Sequence, residues 1–164
     1  MVDTAIKNKK IIEKFINDVF INHDLTQLDD CMRDDYIQHN ADVPQGKAGF
    51  VAFFEQTFRA IPDFKYDLLN IAADGAFVWI YCTTTGTHNS DRWLDVPPEG
   101  NKLNFNVVDI FRLEDDKIAE HWDVADTLSL FSQLGKLPKR SRSGTTDGSD
   151  PRTDPCKGNG QKEL

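Results

Sequence analysis

The run Val108-Asp109-Ile110-Phe111-Arg112-Leu113-Glu114-Asp115-Asp116-Lys117-Ile118-Ala119-Glu120-His121-Trp122-Asp123 alternates apolar and polar residues on either side of an acidic break. A period of two around a short Asp-rich turn reads as a β-hairpin. With the turn centred on Asp115-Asp116, Leu113 falls opposite Ile118, Phe111 opposite Glu120 and Asp109 opposite Trp122. One face then carries Phe105, Val107, Asp109, Phe111, Trp122 and Val124, and the other Asn104, Asn106, Arg112, His121 and Asp123. The apolar face is the inner one. Asp109 is therefore expected to point inward beside Trp122 and Glu120, in a ladder without a β-bulge.

Upstream of the hairpin the period remains two. Residues 64–72 and 76–88 read as strands joined at Asp74-Gly75, and 102–113 and 118–124 as the strands of the hairpin. Residues 89–101 contain Trp93, Leu94, Pro97, Pro98 and Gly100, too irregular for a strand and too apolar for an inert loop, so this segment is expected to cover a cavity. Before residue 62 the period is 3.6. Ile6, Ile12, Phe15, Ile16, Val19 and Phe20 make one stripe of a first helix, capped by Asp3 or Thr4 and closed by His23. A second helix is expected over 26–33, burying Leu25, Leu28 and Met32, followed by an extended 36–39 and a loop over 40–46. A third, over 47–60, carries Phe50, Phe53, Phe54 and Phe58 as a packing face and ends before Pro62. A short helix is expected at 127–137. Helices first and a meander after them give an α+β fold, with the helices packed on one face of the sheet.

Length and charge bound the rest. The chain has 164 residues. Residues 1–138 hold 13 Lys/Arg against 23 Asp/Glu, a formal −10, whereas 139–164 hold 6 against 4 and no aromatic residue. The first part reads as one domain and the second as a disordered polar tail unable to bury enough apolar surface to offset its ordering entropy. An acidic body argues against nucleic acid as a partner. No apolar run long enough to span a membrane and no secretory leader is expected. The cysteines, Cys31, Cys82 and Cys156, are odd in number and widely spaced, which reads as reduced thiols in a cytoplasmic protein. No metal is expected, because His39, His88 and His121 lack ligand spacing, and no nucleotide or serine-hydrolase signature occurs.

A carboxylate among apolar walls has its charged form disfavoured, which makes it a stronger base toward a carbon acid. Asp109 is the expected catalytic base on that ground. His39 and His88 stand where a strand meets a loop and are candidates to hydrogen-bond a substrate carbonyl, while Glu120 either shares a proton with Asp109 or anchors a helix end.

Tyr36-Ile37-Gln38-His39-Asn40 with Gly46-Lys47, and the D-x-F-R … K-I-x-E-H-W-D pattern from Asp109 to Asp123, resemble SnoaL-like polyketide cyclases of the NTF2-like superfamily over residues 6–134. The resemblance implies an α+β cone, with helices in a curved, mostly antiparallel sheet, a deep pocket and a homodimer across the sheet. It also implies cofactor-free aldol or enolisation chemistry on a hydrophobic, polyketide-like carbonyl compound, with an acidic residue of the last strands as base. Here that role falls to Asp109 or Asp123, and the register favours Asp109. His39 or His88, with the Trp122 indole, would hold the enolate; Glu120, Phe54, Trp79 and Trp93 would line or cover the pocket, with His121 a lesser candidate. The alternatives are a non-catalytic module binding a small molecule or a protein, and a hydrolase or dehydratase using a water between Asp109 and a second carboxylate.

Overall fold

The structure is a computed structural model that describes residues 2–137; the polar tail and Cys156 lie outside the described residues. Helix α1 (Val2–Phe15) continues into a wider π turn (Ile16–Ile21), and together they bury Ile12, Phe15, Ile16, Val19 and Phe20. That is the expected stripe, except that Ile6 is half exposed and the helix already includes Asp3 and Thr4, expected as its cap. His23, in the left-handed region at φ 55°, ends the segment and stacks on Phe58. A 3₁₀ turn (Leu25–Gln27), capped by Asp24, leads into a single helical turn, α2 (Leu28–Cys31). The second helix is thus shorter than expected, because Met32 and Arg33 already belong to strand β1 (Met32–Gln38). Helix α3 (Gly46–Ala60) follows, then β2 (Lys65–Asp74), β3 (Phe77–His88), β4 (Asn101–Glu114), β5 (Lys117–Ala125) and a short α4 (Thr127–Gln133).

The strands form one sheet in the order β1-β5-β4-β3-β2, antiparallel except for β1 alongside β5. The helices lie against its inner face, giving the expected α+β architecture. Phe15 sits at the junction, 1 % exposed, with edge contacts to Phe20 at 5.4 Å and Phe111 at 5.6 Å. Burying one such ring stabilises the fold by about 1.5–3 kcal/mol. Asn8 ties α1 to the β2–β3 turn by donating to the Gly75 carbonyl at 3.0 Å. Gly75 supplies the positive φ, 54°, that this two-residue turn requires.

The β4–β5 hairpin decides which residues face inward. Asp115 and Asp116 both adopt positive φ, 52° and 64°, as a tight two-residue turn demands, and Leu113 pairs with Ile118 as expected. One step further the expected register fails. Arg112 pairs with Glu120, not with Ala119, so Ala119 is the extra residue of a β-bulge and both Ile118 and Ala119 point inward. From there every side chain of β5 changes face. Phe111 lies opposite His121, Ile110 opposite Trp122 and Asp109 opposite Asp123. Among the described residues no helix is long and apolar enough to cross a membrane.

Candidate active site

Strand alternation on β4 turns Leu103, Phe105, Val107, Asp109 and Phe111 inward, so Asp109 occupies the apolar face at 6 % exposure. The bulge adds His121 and Asp123 from β5 on the same face. Tyr66 reaches the spot from β2, and Gln38 and Asn40 from the end of β1. Together they form the polar wall of a cavity of about 120 Å³. Its other walls are mainly apolar, with Phe20, Phe54, Phe64, Phe105, Trp93 and Phe131 prominent, and among the described residues no Lys or Arg lines it.

Asp109 has both oxygens engaged. Its Oδ1 pairs with His121 Nε2 at 2.9 Å, and its Oδ2 accepts from the Tyr66 hydroxyl. Burial first, then the Asp109 charge, push the Tyr66 phenol well above its ordinary value, so it stays an O–H donor. His121 stacks on Phe111 with ring centres 4.8 Å apart, and its Nδ1 lies 3.1 Å from Gln38 Nε2. Asp123 is held differently. Among the described residues only Asn40 Nδ2 donates to it, at 2.8 Å on Oδ2. Burial pushes its carboxyl above the usual value, with Asp109 adding to the shift and His121 and Asn40 opposing it. The cavity therefore presents two neighbouring carboxylates, one saturated with hydrogen bonds and one with an oxygen available.

The remaining predicted site residues divide by position. Phe54 and Trp93 line the cavity, and Trp93 is fixed by its indole N–H donating to Thr57 Oγ1 at 3.0 Å. The segment over 89–100 does cover the cavity, through a tight bend at Trp93–Val96 in which Leu94 and Asp95 take positive φ. Trp122, Glu120, Trp79 and His39 do not reach it. The bulge places Trp122 and Glu120 on the outer face, a correction to the expected register. There Trp122 stacks on His39 at 4.3 Å, and Glu120 bonds His39 at 2.8 Å and accepts from Arg112 at 2.6 Å. Those two partners, His39 first, hold the Glu120 carboxyl below its usual value. Trp79 alternates outward on β3 and packs on Phe77. His88 ends β3 as expected but is wholly buried beneath the following loop, with Nε2 on the Asp91 carbonyl at 2.8 Å.

Three polar residues of the wall were not among the predicted site. Tyr66 had a readable signal: it shares the inward phase of β2 with Phe64, and a tyrosine on an apolar face needs a partner for its hydroxyl. Gln38 and Asn40 flank His39 within the Tyr36–Asn40 motif, but the β1–β5 pairing that turns Gln38 inward and His39 outward joins strands about eighty residues apart. Among the described residues no group of three or more His, Cys, Asp and Glu side chains is arranged to hold a metal ion. Burial pushes the thiols of Cys31 and Cys82 up, to about 11 and about 12.

The family described as SnoaL-like polyketide cyclase matches residues 10–134. No curated protein matches the chain. Solved structures do. TsrD from Streptomyces laurentii is 27 % identical, with a TM-score of 0.73, over 80 % of this chain and 97 % of that one. AclR from Streptomyces galilaeus, a candidate hydroxylase, is 26 % identical, with a TM-score of 0.74, over 84 % and 87 %. IdmH from Streptomyces antibioticus, a candidate polyketide cyclase, is 26 % identical, with a TM-score of 0.64, over 78 % and 98 %.

Proposed function

Because the chain belongs to the SnoaL-like polyketide cyclase family and has its NTF2-like fold, we propose that it catalyses cofactor-independent acid/base chemistry, an aldol cyclisation or enolisation, on a hydrophobic, polyketide-like carbonyl compound. The observation that carries this reading is the pair of inward carboxylates, Asp109 and Asp123, on the polar wall of a mainly apolar cavity. Of the two, Asp123 suits the base. It retains an uncommitted oxygen, and burial raises its carboxyl. Asp109, with both oxygens occupied, suits the anchor that orients Tyr66 and His121.

In the step envisaged, an Asp123 oxygen takes a proton from the carbon next to the substrate carbonyl, and the C–H electrons pass into the enolate. The enolate carbon attacks a second carbonyl carbon of the same molecule, and the alkoxide so formed recovers the proton from Asp123. In an isomerisation the proton returns to another carbon instead. The developing oxyanion needs a donor that remains protonated, and the Tyr66 hydroxyl meets that need by turning its single hydrogen from Asp109 Oδ2 to the substrate oxygen. The test follows exchange of the acidic C–H of an aryl β-keto ester in D₂O by NMR. Asp123→Asn is expected to lower the enzyme-catalysed rate by about 10²–10⁴-fold, the range for a general base. An unchanged rate refutes the assignment; no exchange by the wild type, with the ester still bound, favours the binding-module reading.

The same two carboxylates also support a hydrolase reading, with a water between them. Incorporation of ¹⁸O from labelled water into product distinguishes it. A homodimer across the outer sheet face is the further part of the proposal. Phe77 and Tyr81 are 36 % and 41 % exposed there, beside Trp79 and Trp122. Light scattering is expected to give twice the chain mass, and a clean monomer counts against it.

A further inference from the structure

Gln38 is almost fully buried, at 1 % exposure, and its amide oxygen and both amide hydrogens are engaged. Its Oε1 accepts from the backbone N–H of Asn40 at 2.9 Å. Its Nε2 lies 2.9 Å from the Tyr36 hydroxyl and 3.1 Å from His121 Nδ1. The two ends of an amide differ in that one accepts and the other donates, so a partner of fixed role sets its orientation. The Asn40 N–H is such a partner, because a backbone N–H only donates. Turning the amide over would set the NH₂ against that N–H and leave two donors facing each other in a buried site. The oxygen therefore faces Asn40, and the NH₂ faces Tyr36 and His121.

The orientation passes to the imidazole. A nitrogen that faces an amide N–H must offer its lone pair, so Nδ1 of His121 carries no proton and the ring proton sits on Nε2. Nε2 then donates to Asp109 Oδ1, where the other tautomer would set a lone pair against a carboxylate. We infer that Gln38 is a positioning residue: its amide, oriented by the Asn40 N–H, fixes His121 as the Nε2–H tautomer and so fixes His121 as a donor toward Asp109. The chain of direction runs from a backbone N–H through an amide and an imidazole to the carboxylate. In consequence Asp109 receives two donors, from Tyr66 and His121, and in the resting protein both hydrogens are committed to it. None of these hydrogen bonds involves Asp123, so the inference stands independently of the proposed base.

The experiment reads the resting protein. The full chain, ¹⁵N-labelled at histidine, is studied by long-range ¹H–¹⁵N correlation NMR, with the four histidines assigned from His→Asn variants. His121 is expected to show a protonated Nε2 and a bare Nδ1. In Gln38→Glu, which keeps the side-chain volume but replaces the NH₂ by an acceptor, Nδ1 is expected to gain a proton. A wild type with Nδ1 protonated overturns the inference, whether or not the variant folds. A folded Gln38→Glu chain with His121 unchanged overturns it as well, because another group would then set the tautomer. Asp123→Asn is expected to keep the wild-type His121 pattern while losing C–H exchange. A wild type that exchanges no C–H proton but shows the bare Nδ1 defeats the proposed reaction and leaves the role of Gln38 standing.

Discussion

Replacing Tyr66 by phenylalanine removes one oxygen and no ring. The ring contacts survive: Phe20 lies 4.5 Å from the Tyr66 ring centre and Phe64 6.4 Å. What disappears is the O–H donated to Asp109 Oδ2, in a place where Tyr66 is 7 % and Asp109 6 % exposed. A hydrogen bond to a charged group contributes about 1.5–3 kcal/mol, and a buried charged acceptor left unpaired puts the loss toward the upper figure. Tyr36 provides the internal comparison. It is equally buried, at 3 %, and its hydroxyl is bonded at 2.9 Å to the Gln38 amide, a neutral group. Tyr36→Phe is therefore expected to cost about 0.5–1.5 kcal/mol. Urea unfolding followed by far-ultraviolet circular dichroism separates the two. Both variants should lower the midpoint at unchanged slope, Tyr66→Phe by about twice as much. For a body of this size, melting temperature falls by about 3–5 °C per kcal/mol, so Tyr66→Phe should melt about 5–15 °C below wild type. Equal losses, or a smaller one for Tyr66→Phe, would refute the reasoning, since the Asp109 carboxylate would then not be what holds the phenol.

The burial that raises the Asp123 carboxyl makes its ionised form a cost to folding. That cost is absent below the unfolded-state value, about 3.9, grows as pH rises toward the folded-state value, and is complete above it. Asp123→Asn should therefore match the wild-type melting temperature near pH 3 and exceed it near pH 7, while C–H exchange falls; a variant less stable at pH 7 contradicts this. Gly49 lies in α3, where alanine is intrinsically favoured by about 1 kcal/mol. A Cβ there would meet the Pro44 carbonyl oxygen at 2.3 Å, so Gly49→Ala should instead destabilise by about 1–3 kcal/mol, measured by urea unfolding. The cavity has Asp42, Asp109 and Asp123 in its lining and, among the described residues, no Lys or Arg, so a neutral aryl β-keto ester should bind at least tenfold more tightly than its free acid by calorimetry; equal affinities would show that charge does not select the ligand.

What could be read from the sequence was whatever depends on local period and turn chemistry. The first helix followed from a 3.6-residue stripe, and the hairpin from two aspartates able to take positive φ. Asp109 faces inward because β4 alternates without interruption from Leu103 to Leu113. The rest of the site depends on two features that have no local signature. One is the parallel pairing of β1 with β5, which orients Gln38 and His39 through partners distant in the chain. The other is the bulge. Alanine is small enough to sit in a bulge or a ladder, so nothing in Ile118-Ala119-Glu120 announces which it occupies. Of the misplaced residues, His39, Glu120 and Trp122 belong to the outer-face cluster that these two features create, whereas Trp79 turns outward by plain alternation along β3.

Deleting Ala119 tests that account. Its side chain is 4 % exposed and stands beside Ile118 on the inner face, so both residues oppose the single position Leu113 before Glu120 meets Arg112. Without it, Ile118 can remain opposite Leu113 and Glu120 opposite Arg112 in a plain ladder, and every side chain from Glu120 onward keeps its face. The competing register would carry Glu120 and Trp122 inward. It would give up the Glu120 bonds to Arg112 and His39 and expose His121 and Asp123, which a one-residue slip always does to a whole strand. The deletion is therefore expected to fold with the Phe111–His121 ring contact intact, seen as nuclear Overhauser effects between the two rings. Contacts between the Trp122 indole and Phe111 would show instead that the bulge itself holds the carboxylates inward. A chain that no longer folds would show that the bend made by the extra residue, and not the pairing beyond it, carries this edge of the sheet around the helices.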